Sequence, residues 1–220
     1  MKKIIGLISV LLFSFSTAQA VVIDEFDSGA IAVAADGSNN VAGGTIIGGS
    51  RTVGIVKSGP LDASATVLFG SGFDIFTHSA DALTAATSTV TWDANGLGLG
   101  GVDLIDGLTN ARFVFDILGI DQGNVALTIN VVDIFGTTGS YTVTNAGVGV
   151  TEVSFALFAG IDFTSVDFLS LEVAGTAASD LTLDSLGTTG DTPPPVPEPA
   201  SLALLGLGLV GLGFARRKAK

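Results

Sequence analysis

The sequence has no cysteine, which excludes disulfides, iron–sulfur clusters and thiol catalysis together. Its single histidine is His78. A zinc site of imidazole and thiolate ligands therefore cannot be assembled, and any Ser-His-Asp triad must use that one residue. No Gly-x-Ser-x-Gly elbow accompanies it, so His78 reads as a strand-end or loop residue. Trp92 and Tyr141 are the only residues of their kinds, so ring platforms for sugar stacking are scarce. Cations are scarce as well, with 9 Lys+Arg against 21 Asp+Glu. Lys2, Lys3, Arg216, Arg217, Lys218 and Lys220 sit at the two ends, so positions 21–199 keep three cations (Arg51, Lys57, Arg112) against all 21 acids, a formal charge of −18. Such a body repels nucleic acid and anionic lipid, and salt bridges are too few to organise its fold.

Proline is nearly absent from the body, because only Pro60 lies outside the run at 193–199. A long helical stripe is missing too. Ala80–Ala86 is the best helical stretch, and it is short. What remains is 47% hydrophobic with 30 glycines. The sustained Val, Ile, Leu and Phe content separates this chain from disordered glycine-rich sequences, which lack the apolar surface to offset ordering entropy. About 170 residues can bury a core without covalent staples.

Period-two alternation dominates the body. Val125, Leu127, Ile129 and Val131 alternate with Ala126, Thr128, Asn130 and Val132. Phe113, Phe115 and Ile117 do the same, as do Leu169, Leu171 and Val173, then Leu181 and Leu183. Earlier runs are shorter: Val21–Phe26, Thr52–Val56, Ala65–Phe69, Thr87–Trp92, and a run in which Phe73, Ile75 and Thr77 share one face. Tyr141 and Val143 alternate with threonines, and Val153–Phe158 is a further apolar run. Ala30–Ser50 reads as a weak strand or long loop, and Leu97–Gly107 as irregular. Many short strands separated by turn residues predict an all-β antiparallel sandwich or jelly roll. Asp36, Ser38 and Asn40 place oxygens at alternate positions, but Val41 stands where an EF-hand loop needs glycine, so this is a polar turn. Gly98–Gly101 lacks the Lys-Ser/Thr ending of a phosphate loop. Trp92 shares the face of Val90, which favours partial burial.

The two ends carry addresses. Lys2 and Lys3, the apolar Ile4–Phe15 and the small residues Ala18 and Ala20 form a signal peptide cleaved after Ala20. At the other end Pro197-Glu198-Pro199 precedes a charge-free apolar segment, 200–215, and a basic tail, 216–220, containing Arg216, Arg217 and Lys218. An apolar segment followed by cations orients and retains a membrane helix. The expected organisation is a signal peptide at 1–20, a β-sandwich domain at 21–187, a Pro/Thr/Gly linker at 188–196 and a sorting signal at 197–220.

This tail resembles the PEP-CTERM sorting signal of Gram-negative bacteria. The resemblance implies that Pro197, Glu198 and Pro199 are the element recognised by an exosortase. It makes 200–215 a transient inner-membrane anchor, and Arg216, Arg217 and Lys218 the retention signal. The partners it implies are signal peptidase, the exosortase, the membrane during sorting and an exopolysaccharide, and the destination is the cell surface or extracellular matrix. The body is more loosely similar to jelly-roll carbohydrate-binding modules, through Ile23-Asp24-Glu25-Phe26 at its start and Phe168–Val173 with Asp180–Leu186 at its close. That likeness implies a structural calcium held by Glu25 and Asp184, and a ligand platform at Trp92 or Tyr141. Two functions follow from the sequence: a non-catalytic structural or adhesive surface protein, and alternatively a polysaccharide-binding module supported by calcium. With no catalytic motif present, an enzyme is not expected.

Overall fold

The computed structural model describes residues 19–192 apart from 35, 71–72 and 123. Ala18, Pro197, Glu198, Pro199, Arg216, Arg217 and Lys218 lie outside the described residues, as does the expected membrane segment 200–215. Among the described residues no helix is long and apolar enough to cross a membrane.

The chain forms β1 (Val22–Asp24), β2 (Ile31–Ala34), β3 (Gly37–Ala42), β4 (Ser50–Ser58), β5 (Ala63–Leu68), β6 (Ile75–Ala80), β7 (Ala85–Trp92), β8 (Thr109–Asp121), β9 (Val125–Asp133), β10 (Thr138–Val143), β11 (Gly149–Ser154), β12 (Val166–Gly175) and β13 (Asp180–Asp191). They build an antiparallel two-sheet sandwich. One sheet is seven-stranded in the order β11-β8-β13-β6-β5-β2, with β1 also paired to β13, and the other is six-stranded in the order β10-β9-β12-β7-β4-β3. The alternating apolar sets seen in the sequence fill the space between them. Phe113, Phe115 and Ile117 point inward from one sheet, and Val90, Leu127, Ile129, Leu169 and Leu171 from the other. At one end Phe113, Phe155, Phe158 and Phe163 pack as a ring cluster, with Phe155 and Phe163 stacked at 3.8 Å between centroids.

Three local expectations are corrected. Ala80–Ala86 is no helix. Strand β6 ends at Ala80, Leu83 takes a left-handed φ of 66°, and β7 starts at Ala85. Seven residues of alanine-rich sequence are too few to hold a helix against strand pairing on both sides. The face of β6 is also the reverse of that expected. Phe76, His78 and Ala80 are buried, while Phe73 is 64% exposed. A slip of one residue exchanges the faces of a strand, and burying Phe76 and Ala80 carries His78 inward with them. Finally, the pattern places the domain boundary at 187, yet β13 continues to Asp191 against β8. Its glycines serve close approach: a Cβ on Gly190 would lie 2.8 Å from the Thr109 carbonyl oxygen. Thr188 is buried, donates its N–H to the Val21 carbonyl (2.8 Å) and accepts from the Val21 N–H on Oγ1 (3.0 Å). Composition there imitates a linker, but the backbone is paired.

Candidate functional surface

Two polar staples cross the interior. The first starts at Asp24, buried where β1 joins β13. Arg51 Nη1 on β4 donates to Asp24 Oδ1 (2.6 Å) and Oδ2 (2.8 Å), Trp92 Nε1 on β7 donates to Oδ2 (2.9 Å), and the Phe26 N–H donates to Oδ1 (2.9 Å). Arg51 Nη2 donates to the carbonyls of Ser28 and Gly29, and the guanidinium lies 5.3 Å from the Phe26 ring centroid. A buried charge persists only when paired and hydrogen-bonded, and Asp24 and Arg51 supply this for each other. The sequence contained a signal for it, since Arg51 is in phase with the inward Val53 and Ile55.

The second staple is His78. Its Nδ1 lies 2.7 Å from Ser88 Oγ on the opposite sheet, and its Nε2 is 3.4 Å from Ser179 Oγ. All three residues are fully buried. His78 is thus an interior residue rather than a strand-end or loop residue. Burial depresses its pKa from 6.5 to about 4, against an opposing pull from Asp180, so it stays neutral. A Ser–His contact sealed between two sheets reaches no substrate.

The expected site residues separate. Trp92 is fully buried, and its indole serves Asp24, so it is no ligand platform. Tyr141 turns inward against Phe158, with ring centroids 6.2 Å apart. Strands β1 and β13 do lie side by side, with Asp24 opposite Leu186. Glu25 is exposed, however, and among the described residues no group of three or more acidic or histidine side chains is placed to hold a metal. The cation at this position is the guanidinium of Arg51, so Glu25 and Asp184 do not fit a calcium site. Asp184 instead faces Asp116 and Asp74. Burial first, then those two charges, raise its pKa above the ordinary carboxylate value. A shallow cleft of about 260 Å³ lined by Ala34, Asp62, Ala63, Ser64, Ser79 and Asp81 brings two carboxylates together and nothing to partner them in chemistry.

The most ordered chemical surface is the outer face of the six-stranded sheet. Strand pairing aligns one complete row across it: Asn40, Thr52, Thr91, Ser170, Asn130 and Ser140. Two residues along each strand a second row reads Ser38, Gly54, Thr89, Glu172, Thr128 and Thr142. Three neighbouring pairs within the rows are hydrogen-bonded. Asn40 Nδ2 donates to Thr52 Oγ1 (2.9 Å), Asn130 Nδ2 to Ser170 Oγ (3.3 Å), and the Thr128 and Thr142 hydroxyls share a bond of 2.9 Å. Positions within a row are about 4.8 Å apart and rows about 7 Å apart, by the geometry of any sheet. The result is a polar sheet face of hydroxyls and amides able to donate and accept, interrupted by Gly54 and by Ser170, which is buried, with Glu172 as the one ionisable member of the two rows. Sequence alternation contained these residues, but only the register aligns them across strands.

Residues 195–218 match the family model for the PEP-CTERM protein-sorting motif. No curated protein matches the chain. Among solved structures, the family 30 carbohydrate-binding module of the cellulosomal cellulase Cel9D-Cel44B of Clostridium thermocellum is 16% identical with a TM-score of 0.43, over 78% of this chain and 98% of that one. The family 11 carbohydrate-binding module of the cellulosomal cellulase Lic26A-Cel5E of the same organism is 13% identical with a TM-score of 0.40, over 78% and 95%. An agarase, AgWH50C, is 15% identical with a TM-score of 0.42, over 65% of this chain and 23% of that one. No binding residue is carried over from them. The matched motif is that of an exported protein sorted by way of the membrane.

Proposed function

We propose that the chain is a non-catalytic adhesive protein of the cell surface or extracellular matrix of a Gram-negative bacterium. An exosortase acting at Pro197-Glu198-Pro199 delivers it, after signal peptidase cuts behind Ala20. The working surface of the delivered sandwich is the six-stranded face, and its partner is a neutral, hydroxyl-rich exopolysaccharide. One observation supports this reading above others: the two registered polar rows, uncharged apart from Glu172, in a body of formal charge −18. Such a face repels neither a neutral polymer nor its hydration. Each hydrogen bond there replaces one to water and contributes little, and no ring stacks on a sugar. A single domain therefore binds weakly, and strength comes from many copies on one surface.

Two experiments test the parts separately. Intact mass of the protein recovered from its host, by cell fraction, tests delivery. The expected species starts at Val21 and ends near Pro197–Pro199 in surface or medium fractions, and an inner-membrane species retaining Lys220 contradicts it. Co-sedimentation of the recovered protein with the host's purified neutral exopolysaccharide tests the contact.

A further inference from the structure

The edges of the two sheets are treated differently. On the seven-stranded sheet one edge, β2, has four residues, and the other, β11, carries Glu152 in an ion pair with Arg112 (2.9 Å). Short length and charge are the usual ways of keeping an edge strand from pairing. On the six-stranded sheet both edges have six residues, β3 as GSNNVA and β10 as TGSYTV, with no charge and no proline in either. Among the described residues, no hydrogen bond reaches the backbone of β10 beyond its pairing with β9. At β3, the Asn39 side chain accepts from the N–H of Asn40 (3.0 Å), and Asp36 is turned back onto the N–H of Lys57 (3.1 Å). Neither edge strand carries an acid, although the chain as a whole is strongly acidic.

Strand direction adds a geometric condition. Every pairing in the six-stranded sheet is antiparallel. With six strands, β3 and β10 run in opposite directions. A second copy set beside the first in the same orientation thus brings its β3 antiparallel to the first copy's β10, continuing the ladder and the hydroxyl rows. We infer that copies of this chain join edge to edge through β10 and β3, forming an open head-to-tail filament with one shared polar face. Such a contact is heterologous and does not close, and sheet twist coils the filament. Negative charge elsewhere on the body opposes it, so salt strengthens assembly by screening. The inference is independent of the polysaccharide contact.

The test uses processed protein recovered from the host, read by sedimentation and electron microscopy at low and high salt. Ser140→Lys blocks one edge and Asn40→Lys the other, and circular dichroism with thermal melting verifies that both variants fold. Wild type is expected to form filaments that lengthen with salt. Each variant alone is expected to be monomeric, and an equal mixture to stop at dimers through the two intact edges. A wild type that stays monomeric in high salt overturns the inference. So does a wild type that stops at dimers, or a variant that still forms filaments.

Discussion

The two outer faces of the sandwich share one strand geometry and differ in nearly everything carried on it. The six-stranded face presents threonine, serine and asparagine in register, with Glu172 as its ionisable group and Val56 as an exposed apolar one. The seven-stranded face mixes Asp116, Asp184 and Glu152 with exposed Leu68, Leu118 and Val150. On that face burial first, and then the charges of Asp116 and Asp74, raise the Asp184 pKa. Acidity keeps a secreted chain soluble. Most of the acids lie in loops and at strand ends, and of those within the faces Asp116, Asp184 and Glu152 stand on one side and Glu172 on the other. Net charge therefore describes the chain poorly, because it does not say where the acids stand.

Both faces depend on the same interior, so the largest effects are expected where that is cut. Arg51→Met leaves Asp24 charged and unpaired, and Asp24→Ala does the reverse to Arg51. Each is expected to cost about 3–5 kcal/mol in chemical denaturation. A loss below about 1 kcal/mol in both would show that the staple does not hold the sheets together. Added chelator is expected to leave the melting temperature unchanged, since Arg51 supplies the cation at this end.

A smaller effect comes from acid. The folded pKa of His78, about 4, is lower than its ordinary 6.5, so the unfolded chain binds its proton first. Its contribution is complete above pH 6.5 and is lost as pH falls toward 4, with an upper limit of about 3 kcal/mol. His78→Gln should flatten the stability profile in that window. Asp184 has the opposite sign. Burial first, and then the neighbouring carboxylates, raise its pKa, so Asp184→Asn is expected to stabilise the fold at neutral pH by at most about 0.5 kcal/mol. That gain should vanish in acid.

Much of the architecture was legible in the sequence because the strong alternation of Val125–Val131 and Phe113–Ile117 admits one inward face. Weak alternation at Phe73–Ala80 allowed two phases, and the interior chose the one that gives His78 a serine on the opposite sheet. Gly187–Asp191 looked like linker because glycine and threonine serve close strand approach and loops equally well. The buried Asp24–Arg51 pair was partly visible in Arg51's phase, but its partner lies far along the chain. The polar rows could not be read at all, since Thr52, Thr91, Ser170 and Asn130 become neighbours only through the order in which the strands pair.

The most direct measurement compares one charge-altering substitution on each face for retention by the host's neutral exopolysaccharide in affinity electrophoresis. Thr91→Glu places a carboxylate in the centre of the complete polar row, and Asp116→Lys alters the opposite face; both are surface changes that leave folding within about 0.5 kcal/mol. The expected result is at least a roughly tenfold loss of retention for Thr91→Glu, equivalent to about 1.4 kcal/mol, with Asp116→Lys retained as wild type. Equal retention of all three proteins, or loss confined to Asp116→Lys, would contradict the assignment of the six-stranded face as the contact surface.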